Sequence, residues 1–344
     1  MKRNHNILLL YLCLSCFIYI LYLITYRKRT NECGICSEAK NIHAYSEGRR
    51  RSPEEYEHRI ESFTNNIQYV NWWSSDTKNY TDLFQNIFVD TKYKNIKIYS
   101  VFPPENLEKT SKDKDTLYVQ FSGESIYGNP DNYDINFIPT DKIQSNVIIF
   151  PYALFHILLM KVDLQKLVIP RSLSKSTQKQ NFCLFSVSNG AAEERKEFFI
   201  ELSKYKKVDS CGRFMNNMNK SCPNDHESSE YFDFISTYKF MICFENTSLP
   251  NYLTEKIVNA YYSGTIPIYW GCPNIGDYVN MDSILYLPQK YTQEERDKLI
   301  EKILFLDTYP DAYKAMYEQS FFKNGILPDE FDIEKIKEKI NKIM

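Results

Sequence analysis

The 344-residue sequence carries 42 basic and 44 acidic side chains, and its net charge of −2 offers neither a basic field for nucleic acid nor an acidic tail. Nine cysteines do not make a disulfide scaffold in a chain this long. Aromatics reach 15%, with 27 Tyr and 22 Phe; most are expected in the core, and some suit the C–H faces of sugars.

Residues 1–6 are a short polar head with Lys2 and Arg3, read as a cytoplasmic tail. Residues 7–26 contain no charge and match the roughly 20 residues that span a bilayer. Tyr22 and Tyr26 suit the interface at the far end. A cleavable signal peptide is the competing reading, but no A-x-A-like site follows, so an uncleaved signal anchor is expected. Arg27, Lys28 and Arg29 lie opposite Lys2 and Arg3, so flanking charge does not set the orientation. Sequons at Asn79 and Asn219 favour a type II arrangement with the C-terminal part lumenal. Residues 27–59 are polar and read as a stem. Cys33 and Cys36 there lack the second half of a zinc site and suit a local or intermolecular disulfide.

Residues 60–175 form a first unit. Strands are expected at 67–72, 96–101, 117–121, 133–137 and 146–150, separated by helical or irregular stretches, which suggests an α/β layer. The run LYVQF leads into Ser122-Gly123-Glu124-Ser125. A carboxylate at the end of a buried strand suits a general base, and an ordinary acidic turn is the plainer alternative.

Residues 176–344 form a second unit. A strand at 182–187 leads through Ser188-Asn189-Gly190 into a helix at 191–205, with Phe198, Phe199 and Leu202 on its buried face. Arg195 lies early in that helix, near a strand's carboxyl end; its plainer fate is an exposed side chain paired with a glutamate. A strand and turn follow at 208–212. Cys211 and Cys222 bracket the next loop and are the best candidate intradomain pair, whereas Cys183, Cys243 and Cys272 read as small buried hydrophobes.

Residues 238–274 read as one β-α-β unit. The strand is 239–244 and the loop 245–251. The helix is 252–263, with Leu253, Ile257, Ala260 and Tyr261 on one face. Asn251 or Thr254 can cap its start, Gly264 suits its stop, and 265–270 is the second strand. Glu245, Asn246, Tyr252, Glu255 and Lys256 crowd the loop and the first turn. Ligands of open α/β sheets bind at that place, and a helix N-terminus attracts anions. The pattern is neither G-x-G-x-x-G nor GK[ST]. Beyond it, 282–287 reads as a strand and 294–306 and 309–319 as helices. In the tail, Ile333, Ile336, Ile340 and Ile343 share one face, expected to pack on the protein rather than on a membrane.

The segment YKFMICFENTSLPNYLTEKIVNAYYSGTIPIYWG resembles the signature of the α1,3/α1,4-fucosyltransferases, glycosyltransferase family 10. The resemblance extends to FSGES and to SVSNGAAEERKEFF, and departs in the loop at Ser248-Leu249-Pro250. It implies an α/β GT-B fold, two Rossmann-like domains facing a cleft, with 60–175 on the acceptor side and 176–344 binding GDP-fucose. It implies inverting transfer of L-fucose to a hydroxyl of N-acetylglucosamine in a glycan, α1,3 in the first instance, and a Golgi membrane location. By resemblance, Glu124 is the general base, Arg195 and Lys256 are the cations on the donor diphosphate, and Glu255, Asn246 and Tyr252 are further donor-site residues. No metal is required, and a divalent cation enters only as a stimulator. The expected partners are GDP-fucose, a glycan acceptor, the membrane through 7–26 and a second copy in a homodimer, with no nucleic acid. Two alternatives stand beside this: a catalytically silent glycan-binding protein on the same fold, and transfer to the N-glycan core rather than to a Lewis-type acceptor.

Overall fold

The computed structural model describes residues 60–64, 66–73, 77–100, 112–173, 179–223 and 228–344. The expected anchor at 7–26, the stem with Cys33 and Cys36, and Val101 lie outside them. Among the described residues no helix is long and apolar enough to cross a membrane.

Two sheets divide the chain. The first comprises β1 (Ile60–Thr64), β2 (Ile67–Trp72), β3 (Asn95–Tyr99), β4 (Thr116–Phe121), β5 (Ile135–Ile138) and β6 (Val147–Ile149), in that spatial order. The strand β1, absent from the sequence reading, pairs antiparallel with β2, and every later neighbour is parallel. Parallel strands are covered on both faces, so they read as near-continuous apolar runs; β4 and β5 are buried along almost their whole length. Helix α1 (Lys78–Ile87) covers this sheet with Thr81, Phe84 and Ile87.

Helices α2 (Tyr152–Leu159) and α3 (Gln165–Val168) lead to the second sheet. It comprises β7 (Asn181–Phe185), β8 (Val208–Ser210), β9 (Tyr238–Phe244), β10 (Ile266–Trp270) and β11 (Leu285–Tyr286). The order is β11-β10-β9-β7-β8, all parallel. The direction of winding therefore reverses between β7 and β9, which in doubly wound sheets opens a crevice at the strands' carboxyl ends. Its helices are α4 (Glu193–Ser203), α5 (Ser229–Ser236), α6 (Glu255–Tyr262), α7 (Gln293–Thr308) and α8 (Pro310–Tyr317).

Several expectations shift. The helix expected at 252–263 begins at Glu255, so Tyr252 and Leu253 belong to the preceding loop. Leu253 is buried in the core from that loop rather than on a helix face, and its carbonyl accepts from Ala153 N of α2 at 2.8 Å. Gly264 does end α6: its φ is +74°, Gly264 N donates to Tyr261 O, and Thr265 N donates to Ala260 O, each at 2.9 Å. The helix expected at 191–205 narrows to α4. The strand expected at 282–287 shrinks to β11, because Asn280 caps a short 3-10 turn at Met281–Ser283. Cys211 and Cys222 are disulfide-bonded, and Cys183, Cys243 and Cys272 are buried thiols.

The last helix, α9 (Ile333–Ile343), crosses back to the first sheet and packs on α1 and β6. Ile336 and Ile340 are buried, and Lys337 Nζ reaches Asn86 Oδ1 at 3.0 Å. The expected packing of the tail thus holds, and it ties the end of the chain to the first sheet.

Candidate active site

The carboxyl ends of the two sheets face each other. Asn251 Nδ2, from the loop after β9, donates to Thr140 O, after β5, at 2.6 Å. Between the sheets lies a cleft of about 210 Å³, lined among others by Glu124, Asn189, Arg195, Asn246, Glu255 and Lys256. Tyr252 reaches the same place by donating its hydroxyl to Glu124. Every residue assigned to the site by resemblance is therefore brought together.

The floor is a stack of charges. Glu245 is fully buried at the end of β9. Its carboxylate accepts from Thr254 N at 2.9 Å and from Thr254 Oγ1 at 2.7 Å, which fixes the entry into α6. The Thr254 hydroxyl is thereby directed to Glu245 rather than back onto the helix as a side-chain cap. Lys256 Nζ lies 2.9 Å from Thr254 Oγ1, 3.1 Å from Glu255 Oε1 and 3.3 Å from Glu245 Oε2. The first two are hydrogen bonds and the third is an ion pair.

The protonation states follow. Burial raises the Glu245 carboxyl, against the pull of Lys256. Burial also acts to raise Glu255, but Lys256 and His156 outweigh it and hold Glu255 at about 2. Burial alone would lower Lys256, yet Glu255 and Glu245 together push it above its usual value. Lys256 and Glu255 thus form a fixed cation and anion at the start of α6.

Arg195 is buried, contrary to its plainer sequence reading as an exposed helix residue paired with a glutamate. Nε and Nη2 donate to Phe244 O at 3.0 and 2.8 Å, and Nη1 donates to Asn189 O at 2.9 Å. The guanidinium therefore bridges the carboxyl ends of β9 and β7 where the winding reverses. Among the described residues three of its five N–H groups are engaged, leaving one on each terminal nitrogen. Burial lowers its pKa, with Glu245 the main opposing charge, and an arginine remains a cation all the same.

Glu124 comes from the other sheet. Ser122 Oγ accepts from Glu124 N at 3.2 Å and so shapes the turn after β4. Glu124 Oε2 accepts from Asn246 Nδ2 at 3.0 Å and from Tyr252 OH at 3.1 Å. Among the described residues its Oε1 has no hydrogen-bond partner. Burial, and then Glu124 itself, hold the Tyr252 hydroxyl protonated well above its usual range, so it is a constant donor to that carboxylate.

Sequence reasoning missed several lining groups. Ser186, Ser188 and Asn189 follow β7, and the reversal of strand order would have pointed to them had pairing been known. Tyr231 of α5 donates to Ser186 Oγ at 2.9 Å. His156 Nε2 of α2 meets Asn259 Oδ1 of α6 at 2.7 Å, a buried contact between the two halves. Nothing local in the sequence signals either of these.

Residues 176–323 match the sequence model described as glycosyltransferase family 10 (fucosyltransferase) C-term. The matched residues include Arg195, Asn246, Tyr252, Glu255 and Lys256, while Glu124 lies outside them. The chain is 36% identical over 138 residues to an α-(1,3)-fucosyltransferase of Helicobacter pylori, covering 40% of this chain and 27% of that protein. It is 29% identical over 129 residues to GDP-fucose protein O-fucosyltransferase 3 of Bos taurus, covering 36% of this chain and 27% of that protein. These alignments thus span about a quarter of each relative's length. The fold is similar to a crystal structure of an α1,3-fucosyltransferase. That match has a TM-score of 0.61 and 21% identity, and covers 88% of this chain and 95% of the other.

Proposed function

We propose that the chain is an inverting fucosyltransferase that moves L-fucose from GDP-β-L-fucose to a hydroxyl of N-acetylglucosamine in a glycan, with α1,3 linkage. The observation that carries this reading is the carboxylate of Glu124, held by Asn246 and Tyr252 across the cleft from the Lys256 and Arg195 cations.

In this reading the acceptor hydroxyl loses its proton to Glu124 as its oxygen attacks the anomeric carbon of fucose. The bond from that carbon to the β-phosphate oxygen breaks, and GDP leaves with the electron pair on the opposite face. Anchoring one carboxylate oxygen with two donors leaves the other to take the proton in a defined place. Negative charge that builds on the β-phosphate meets fixed positive charge, which stabilises the transition state more than the ground state. Arg195 offers its two uncommitted N–H groups and Lys256 a point charge. The N-terminus of α6 adds a partial positive charge. These groups suffice for the departing diphosphate, so no step is assigned to a metal, and a divalent cation acts at most as a stimulator. The relatives' names, α-(1,3)-fucosyltransferase and GDP-fucose protein O-fucosyltransferase, support fucose as the transferred sugar and GDP-fucose as donor.

The second of these names favours one further reading, in which the acceptor hydroxyl belongs to a polypeptide. The same base serves both. The proposal further places the protein as a type II protein of the Golgi membrane, anchored through residues 7–26 with its catalytic part in the lumen.

The test is incubation of the full chain with GDP-fucose and a panel: N-acetyllactosamine, an N-glycan core and a Ser/Thr peptide. Linkage analysis of the product is expected to show α1,3-fucose on N-acetylglucosamine. Fucose on the peptide alone would establish the polypeptide reading. GDP binding without transfer to any acceptor would leave the silent glycan-binding alternative standing.

A further inference from the structure

We infer that the exposed indole of Trp73 is the stacking platform of an acceptor subsite, for an oligosaccharide that runs from Glu124 along the carboxyl edge of the first sheet. This rests on the proposed transfer to a glycan and names the part of the acceptor the first sheet would recognise.

Trp73 follows the last residue of β2, and the residue remains 36% exposed. It is backed by a rigid aromatic bed. Its ring stacks on the buried Trp72 with centroids 4.1 Å apart and planes 22° apart. Tyr80, Phe121 and Phe155 contact it at 5.6, 6.0 and 6.1 Å between centroids. A ring held on so many sides loses little conformational freedom when a ligand covers its open face.

The bed reaches Glu124 by two routes. Phe121 is the last residue of β4, three residues before the base. Phe155 also contacts Tyr152, at 5.7 Å, and the Tyr152 ring lies so close to Gly123 that a Cβ there would come within 2.4 Å of it. Strands β2, β3 and β4 are adjacent and parallel, so Trp73 and the Glu124 turn open on the same edge. Two strand spacings, about 9–10 Å, separate β2 from β4. The turns that carry Trp73 and Glu124 therefore start from backbones further apart than one pyranose ring is wide. The sugar that covers Trp73 is therefore a neighbour of the one that is fucosylated.

The chemistry matches. An indole face, electron-rich and apolar, takes the polarised C–H face of a pyranose. Ile126, half exposed just beyond the base, adds apolar surface to the same turn, which Ser122 Oγ holds by donating to Ile126 O at 2.5 Å.

The test uses the full chain with GDP-fucose as donor and two acceptor probes, free N-acetylglucosamine and N-acetyllactosamine. For Trp73→Ala the acceptor KM for N-acetyllactosamine is expected to rise about tenfold, the scale of one aromatic contact. The KM for free N-acetylglucosamine and for GDP-fucose should change less than about twofold, because neither reaches the indole. Trp73→Phe, which keeps a ring in the bed, should recover part of the loss. Equal KM values for N-acetyllactosamine in Trp73→Ala and the parent would overturn the inference, and so would a rise shared equally by all three substrates. Hydroxyl-radical footprinting of the unaltered protein supplies a readout without substitution: N-acetyllactosamine with GDP should protect Trp73, and no protection would overturn it. If the unaltered protein transfers no fucose, the functional reading fails, and the footprint alone decides the subsite.

Discussion

The two sheets build their halves of the cleft by different means. The second sheet reverses its winding between β7 and β9, and the crevice that results is a property of its topology. Its grip is collective: backbone carbonyls of Phe244 and Asn189 hold Arg195, and Glu245 and Thr254 hold the start of α6. The first sheet runs β1 to β6 in sequence with no reversal. In the proposed reading, single side chains at its carboxyl edge, Glu124 and Trp73, meet the acceptor. An anion site of the first kind constrains many residues at once, and an edge of the second kind constrains few. That contrast fits the reach of the family 10 match, which covers 176–323 and stops short of the first sheet.

The contrast can be broken at either half. The largest effect is expected from Glu124→Gln, which keeps a carbonyl oxygen for Asn246 and Tyr252 but cannot take a proton. Fucosyl transfer should fall about 10²–10⁴-fold, measured as initial rates with saturating donor. Lys256→Met comes next. In the proposed reading it removes a cation from the leaving group, and it strands the buried Glu245 carboxylate and the partly exposed Glu255. The expected outcome is a turnover number about 10²–10³-fold lower, with about 3 kcal/mol lost from urea unfolding. Arg195→Lys keeps the charge but loses the fork that spans β7 and β9. The KM for GDP-fucose should rise about tenfold, with about 1–3 kcal/mol lost for the carbonyls left unpaired.

A smaller effect concerns acid. Glu255 is held at about 2 in the folded protein against an ordinary 4.5. Between those values the unfolded chain binds the proton more readily, so the stability this carboxylate contributes is full above about 4.5 and is lost as pH falls towards about 2. Urea midpoints of the parent should therefore drop as pH falls through that window, and Glu255→Gln should drop less steeply. An identical slope in the variant would show that the Lys256–Glu255 pair contributes nothing there.

The legibility of the sequence followed the same division. The β-α-β unit at 238–274 was readable because an apolar strand, a polar loop and a periodic helix succeed each other locally, and Glu255 and Lys256 sit where the helix starts. Its error was local too. Leu253 fits the helical period but is buried from the loop, where its carbonyl meets α2, a segment about a hundred residues earlier. Arg195 was legible as a residue near a strand end but not as a buried bridge, since its partners Phe244 and Asn189 come from two different strand ends. Helix α2 escaped altogether: YALFHILL is apolar at nearly every position, so it has no face to read, and it is buried because it lies between the two halves. Glu124 was visible as a carboxylate after a strand that suits a general base or an ordinary turn, and only the resemblance chose between the two. Trp73 was one aromatic among many, because exposure depends on tertiary packing. The Cys211–Cys222 pair was readable because those two cysteines flank one short loop.

The central claim is that the second sheet binds the donor and the first sheet supplies the base. Calorimetric titration of GDP into Glu124→Gln and Lys256→Met, side by side with the parent, tests it most directly. The account predicts that Glu124→Gln binds GDP within about threefold of the parent while Lys256→Met binds it at least about tenfold more weakly. Equal loss of GDP affinity in both variants, or loss in Glu124→Gln alone, would contradict it.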